Sequence, residues 1–264
     1  MTATLLSEWT KLRSQRGALI AVAAMSVLMV ALSALAASES HTDAVFRGDD
    51  DVVQIGLAGV VFAALAAVVV GAAPMTSEYS TGMIRTTLTA TQGRLRVLAA
   101  KAAVVAGLSF PLALAASAAS FLIAQSLLHE RGYVAPAYPP VSITDPEAAR
   151  AVVGTALLLT AYCLVALGVA TALRSTGASI AAGVGLVFLP LLLLGVFPEH
   201  IREGIVQSTP IAGMAVQTTT GRMLAAFADV GDLRIEPWQG LAVAYAWALG
   251  SLAVGYVLLR RRDA

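Results

Sequence analysis

The stretch VVQIGLAGVVFAALAAVVVGAAPMTSEYSTGMIRTTLTATQGRLRVLAAK, residues 52–101, decides the fold. Its first part, 52–73, is an uncharged apolar run, and roughly 20 such residues cross a bilayer as a helix. Its second part is polar, rich in threonine and arginine, and leads from residue 98 into another apolar run. A polar connector between two runs of spanning length marks a polytopic membrane protein. The same rule, applied outward, predicts six spans at about 17–37, 52–73, 98–127, 151–173, 176–197 and 239–259. The composition agrees, with 58% hydrophobic and 12% charged residues and a mean hydropathy of +0.80, whereas a soluble domain carries about 25% charged residues. One all-α transmembrane domain over residues 1–264 is therefore expected.

Pro74 is expected to stop the second span, and Pro111 to kink the long third span, whose start lies at the membrane surface. In the fifth span Gly177, Ala181 and Gly185 fall four apart on one face, a spacing that permits close helix packing in lipid. The basic start followed by "ALAAS" at 34–38 resembles a secretory signal, but the apolar run is about 20 residues against the usual 7–15, so it is expected to be retained. The single cysteine, Cys163, lies in an apolar run and reads as packing.

Lys and Arg in the loops set the orientation. With the N-terminus in the cytoplasm, eleven of the seventeen basic residues lie inside, while of the acids only Glu8, Glu78 and Asp263 do. Both termini are thus expected in the cytoplasm, in a multi-pass protein of the cytoplasmic membrane. The outer run Asp49–Asp50–Asp51 reads as a solvated cap on the second span.

The cores of the spans carry no Asp, Glu, Lys, Arg or His. Carriers driven by protons or ions need ionisable groups there as relays, which argues against a secondary carrier. No basic patch with interleaved aromatics points to nucleic acid, no ligand cluster to metal, and no HExxH or GxSxG motif to a protease. A phosphate-cradling P-loop needs Gly-Lys-Ser/Thr, yet the only lysines, Lys11 and Lys101, follow Thr10 and Ala100. The chain is therefore expected to be no enzyme and to hold no cofactor. Any ATP and Mg would sit on a separate ATPase chain, docked on the cytoplasmic face.

Among the cytoplasmic segments only 74–97 is long enough to offer a folded surface. Glu78, Gly82 and Arg85 have i, i+4, i+7 spacing and would share one face of a short helix capped by Thr76 or Ser77 and ending near Leu88. Tyr79, Met83, Ile84 and Leu88 supply an apolar set. From this pattern alone, a docking surface and a solvated connector stay equally open. Arg94, Arg96 and Lys101, where the third span begins, are expected to reach anionic headgroups. At the N-terminus, Leu5, Trp9 and Leu12 fall on one side of a helix, with Glu8, Lys11 and Arg13 elsewhere, as in a basic amphipathic interface helix.

The segment resembles the first cytoplasmic loop of the type-2 ABC transporter permeases, especially the actinobacterial ones, which commonly reads Glu-Tyr-x-x-Gly-Thr-x-Arg-x-x-Leu. The matching residues are Glu78, Tyr79, Gly82, Arg85 and Leu88, with Arg96 to Lys101 following and Met83 where Thr is usual. "LLSEWTKLRSQRG", Leu5 to Gly17, is similar to that family's N-terminus. The resemblance implies that this loop is a coupling helix fitting a cleft on the ATPase, with Glu78, Tyr79, Gly82, Met83, Arg85 and Leu88 as contacts, and that the N-terminal interface helix touches the ATPase too. It implies that the apolar pieces Ile205–Gln217 and Met223–Phe227, broken by Pro210 and Gly213, are short extracellular helices re-entering the membrane before the last span. It implies as partners an ABC ATPase, a second permease copy or paralogue and membrane lipids, and as function ATP-driven export of an amphipathic or lipophilic substrate. The alternative is a membrane scaffold or sensor subunit that transports nothing.

Overall fold

The computed structural model describes residues 2–40, 50–90, 93–135, 137–193, 197–219 and 235–261. Among them every regular element is helical: α1 (Thr2–Ser14), α2 (Arg16–Glu39), α3 (Val52–Gly56), α4 (Val60–Ser80), α5 (Met83–Ala90), α6 (Arg94–Glu130), α7 (Pro146–Leu173), α8 (Thr176–Leu193), α9 (Glu199–Ser208), a 3-10 helix η1 (Pro210–Gln217) and α10 (Pro237–Arg261). Five of these, α2, α4, α6, α7 and α10, are long and apolar enough to cross a membrane, and α8 is a shorter apolar helix. The expected fifth span, 176–197, extends past α8 into 194–196, outside the described residues.

The bundle is built around α7, on which α4, α6, α8, α10 and η1 all pack. Lipid offers no hydrophobic drive between helices, so close van der Waals approach must hold them. Glycine makes that approach possible at two places. A Cβ on Gly71 of α4 would lie 1.9 Å from the Cys163 carbonyl oxygen of α7. A Cβ on Gly168 of α7 would lie 2.4 Å from the Ser251 backbone of α10.

The expected second span is divided. Residues 57–59 separate α3 from α4, and Gly59 donates its N–H to Ser33 Oγ of α2 at 3.0 Å. Pro74 does not stop the helix, since α4 runs six residues further to Ser80. Its buried setting explains this, because a proline is tolerated within a membrane helix where neighbours supply new partners.

α1, α5, the start of α6 and the end of α10 meet at one end of the bundle. The Arg94 guanidinium donates to the Leu259 carbonyl and, at 2.9 Å, to that of Arg260. It thereby satisfies carbonyls that the end of α10 leaves without helical partners. Arg94 thus caps α10, and Lys101 is buried and offers nothing to headgroups. Of the three, Arg96 alone stays fully exposed.

At the opposite end Asp51 caps α3, accepting from the Gln54 N–H at 3.0 Å. The cap is not solvated. Asp51 is buried and also accepts from the Thr219 N–H at 2.5 Å and hydroxyl at 2.9 Å. Asp50 accepts from the hydroxyls of Tyr133 and Tyr138, at 3.3 and 3.1 Å; Asp49 lies outside the described residues. Of the two apolar outer pieces, Ile205–Gln217 divides at Thr209 between the end of α9, where Val206 is buried and Gln207 and Ser208 are exposed, and wholly buried η1. Gly213 makes no break. It sits inside η1, where a Cβ would press to 2.4 Å of Leu158. The indole N–H of Trp247 donates to the Ser208 carbonyl at 2.8 Å. Trp247 is ten residues along α10 from Pro237, so α9 ends ~15 Å below the start of α10. Met223–Phe227 lies outside the described residues.

Candidate functional site

Beneath α5 lies a junction of four charges drawn from three helices. Glu8 and Lys11 come from successive turns of α1, Glu78 from the last turn of α4, and Lys101 from the third turn of α6. Lys101 donates to Glu8 Oε2 at 2.5 Å, to Glu78 Oε1 at 2.8 Å and to the Pro74 carbonyl at 3.1 Å. Lys11 donates to Glu8 Oε1 and Glu78 Oε1, both at 2.8 Å, and to the Thr87 hydroxyl of α5 at 3.1 Å. All three protons of each ammonium are therefore used. Glu8, Glu78 and Lys101 are only 4%, 2% and 2% exposed.

Two acids and two bases make the junction neutral, which is what allows it to be buried. A buried charge is tolerable only when it is paired; here both ammonium groups are fully used, while Glu78 Oε2 is buried without a hydrogen-bond partner among the described residues. A void of only ≈ 10 Å³ remains between Glu8, Lys11, Pro74 and Lys101, at the lower limit for one water. Burial lowers the Lys11 pKa, but its hydrogen bonds to Glu78 and Glu8 and their negative charges outweigh that and hold it above the ordinary 10.5. Gln15, at the hinge between α1 and α2, adds a further link by donating to Ser77 Oγ at 2.9 Å.

α5 covers the junction. Ile84 and Thr87 point inward, while Met83, Arg85, Thr86 and Ala90 face outward. Between α1 and α5 a cleft of ≈ 410 Å³ is lined by Thr4, Ser7, Met83 and Thr86, with Glu8 and Lys11 at its floor.

Against known families, residues 4–189 match the family described as ABC-2 family transporter protein. The match takes in α1 through most of α8, well over half of the chain. The chain belongs to the ABC-2 transporter family. A search of curated proteins returns no match. As an ABC-2 permease it is a membrane subunit of a family that in general works with an ABC ATPase. With its five spanning-length helices it is a multi-pass protein of the cell membrane.

The expected coupling residues of this ABC-2 permease do not share one helix. α4 carries Thr76, Ser77, Glu78 and Tyr79, so neither Thr76 nor Ser77 caps a new helix. The chain then turns at Gly82, whose φ of +72° ends α4 in the left-handed conformation that glycine adopts without cost. Glu78 is buried in the junction and offers no surface. Tyr79 is half-buried, with the Arg174 guanidinium 5.3 Å from its ring centre. Leu88 packs on the core. Gly82, Met83 and Arg85 are the three that stand exposed.

On α1, Leu5 and Leu12 pack toward Ala18 and Val104 as their spacing suggests. Trp9 does not join them; it is 43% exposed and faces outward with Leu6, while Glu8 takes the packed side. Sequence reasoning missed Lys11, Lys101 and Glu8 as members of one site. A signal was available, because Glu8 and Glu78 are acids on a face where basic residues prevail, and each needs a cation near it.

Proposed function

We propose that this ABC-2 permease is the transmembrane subunit of an ATP-driven exporter, and that α5 is its coupling helix. The observation that carries the reading is the two-sided character of α5. Its outer side, Met83 and Arg85, is open beside the α1 cleft, and its inner side is tied through Thr87 and Lys11 to Glu78 of α4 and Lys101 of α6. A push on α5 by an ATPase subunit would reach α1, α4 and α6 together, because buried charges cannot separate without leaving one unpaired.

The remaining parts of the reading follow the same frame. α8 is the sixth span, and the end of the bundle bearing α1 and α5 faces the cytoplasm, as the excess of basic residues there demands. The depth of Ser208 beside Trp247 supports re-entry of α9 and η1 from the outside. The Gly177–Ala181–Gly185 stripe, exposed at Gly177 and Ala181 and with nothing within 4 Å of a Cβ at either glycine, suits close packing by a second permease copy or a paralogue. The cargo is amphipathic or lipophilic, in keeping with helices whose outward faces are almost wholly apolar.

The test is co-purification of the ATPase from mild detergent, together with efflux. Met83→Asp should abolish both while membrane abundance holds, and efflux by the unaltered protein should need ATP and survive a protonophore. Full ATPase binding by Met83→Asp would remove α5 as the docking surface. Loss of efflux on collapsing the proton gradient, with ATP present, would remove the ATP-driven reading.

A further inference from the structure

The turn between α7 and α8 is only two residues long, Arg174 and Ser175. Arg174 ends α7 with a φ of +60°, and its N–H donates to the Ala170 carbonyl at 3.1 Å. Among the described residues it is the one non-glycine with positive φ. Glycine takes this left-handed conformation without cost, whereas a side chain brings its Cβ too close to the following carbonyl oxygen. Helices that end this way ordinarily do so at glycine. Backbone strain of this kind persists where the surroundings hold the residue in place, and it clusters at functional positions.

The Arg174 side chain is folded back on α4. Its guanidinium lies 5.3 Å from the centre of the Tyr79 ring, within the ~6 Å over which a cation is drawn to an aromatic face. Tyr79 sits in the last turn of α4, directly after Glu78. That turn is therefore held from two sides. Glu78 ties it to α1 and α6 through the two lysines, and Tyr79 ties it to the turn between α7 and α8.

α4 meets α7 and α8 again deeper in the bundle. A Cβ on Gly183 of α8 would lie 2.7 Å from Val68 of α4, and Gly71 of α4 abuts Cys163 of α7. Val68 lies eleven residues before Tyr79, ~16 Å at the helical rise. A helix gripped only in its middle can pivot on its neighbours. One gripped at its end as well carries them with it.

We infer that Arg174 is a positioning residue for transport, coupling the last turn of α4 to α7 and α8. The role rests on the exporter reading. It extends the reach of α5 from α1, α4 and α6 to the other half of the bundle. α8 bears the Gly177–Ala181–Gly185 stripe, so movement relayed through Arg174 arrives at the face proposed for the second permease.

The test uses Arg174→Asn and Tyr79→Leu, made singly and together in the full chain. Asparagine visits the left-handed conformation more readily than other side chains, so Arg174→Asn removes the guanidinium without adding backbone strain. A residue that only caps α7 would leave hydrogen exchange across 175–179 unchanged or slower in Arg174→Asn, and Tyr79→Leu would not act there at all. The coupling role predicts that each single variant, in mild detergent, raises that exchange several-fold and that the double variant raises it no further. Arg174→Lys, which keeps a cation for the ring, should return most of the protection. The second readout uses the complex with its co-purified ATPase. Bimane on Ala178→Cys, at the exposed start of α8, should change its emission when ATP is added, while buried Cys163 takes no label. Arg174→Asn should abolish that change while ATP hydrolysis continues. Unchanged exchange in either single variant, or an ATP response that survives Arg174→Asn, overturns the role of Arg174 alone. An unaltered protein that binds no ATPase would overturn the exporter reading and the relay together.

Discussion

Replacing Glu78 by Gln is the sharpest perturbation of the charged junction. Glu78 Oε1 accepts from both Lys11 and Lys101 at 2.8 Å. Without its charge, two ammonium groups share the single carboxylate of Glu8, in a site where the Lys101 side chain is 1% exposed. Removing one partner of a buried ion pair costs about 3–5 kcal/mol. At ~1.4 kcal/mol per factor of ten, that lowers the folded-to-unfolded ratio by more than a hundredfold. Arg85→Gln, on the exposed side of α5, should stay within about 0.5 kcal/mol. Glu78→Gln combined with Lys101→Met restores neutrality, with one carboxylate facing one lysine, and should recover much of the loss, as expected of coupled residues. The assay is thermal or denaturant unfolding in mild detergent, with all variants in the same detergent. A Glu78→Gln protein as stable as Arg85→Gln, or a double variant whose losses simply add, would refute the buried network.

Three further outcomes follow from the same geometry. The Lys11 pKa is raised above 10.5, so its share of the stability is fully present below that value and is lost as pH climbs through the folded pKa; backbone amides of α1 should lose hydrogen-exchange protection as the pH rises past 10.5 while those of α7 keep theirs. Gly82→Val should cost about 1–2 kcal/mol from left-handed strain and not from a clash, because the space around it is empty, whereas Gly82→Asn should cost less in the same unfolding measurement. Cysteine placed at exposed Ser80 should react only with reagents that reach the cytoplasm, with buried Cys163 silent; labelling from outside intact cells would reverse the orientation.

Hydropathy and charge fixed the class of this protein unaided. The bilayer demands roughly 20 apolar residues per helix, so the segments cut by 17–37, 98–127, 151–173 and 239–259 reappear in α2, α6, α7 and α10, each a few residues longer at its ends. The packing of Leu5 and Leu12 was also legible, since it rests on spacing within one helix; of the apolar set at the loop only Ile84 and Leu88 pack inward from α5, while Met83 stands exposed and Tyr79 belongs to α4. What spacing cannot encode is which helices meet. Pro74 signals a stop in isolation, yet within a bundle its surroundings let α4 continue, and that extension carries Glu78 out of the coupling helix and into the core. Glu8, Lys11, Glu78 and Lys101 are up to 93 residues apart in the chain. Each alone looks like a surface charge, and only the convergence of α1, α4 and α6 cancels their charges and lets them be buried. Arg94 reads as a headgroup contact until α10 brings its unpaired carbonyls alongside. A groove between α8 and α10 exists only because both helices pack on α7 while their small side chains fail to fill the space left between them.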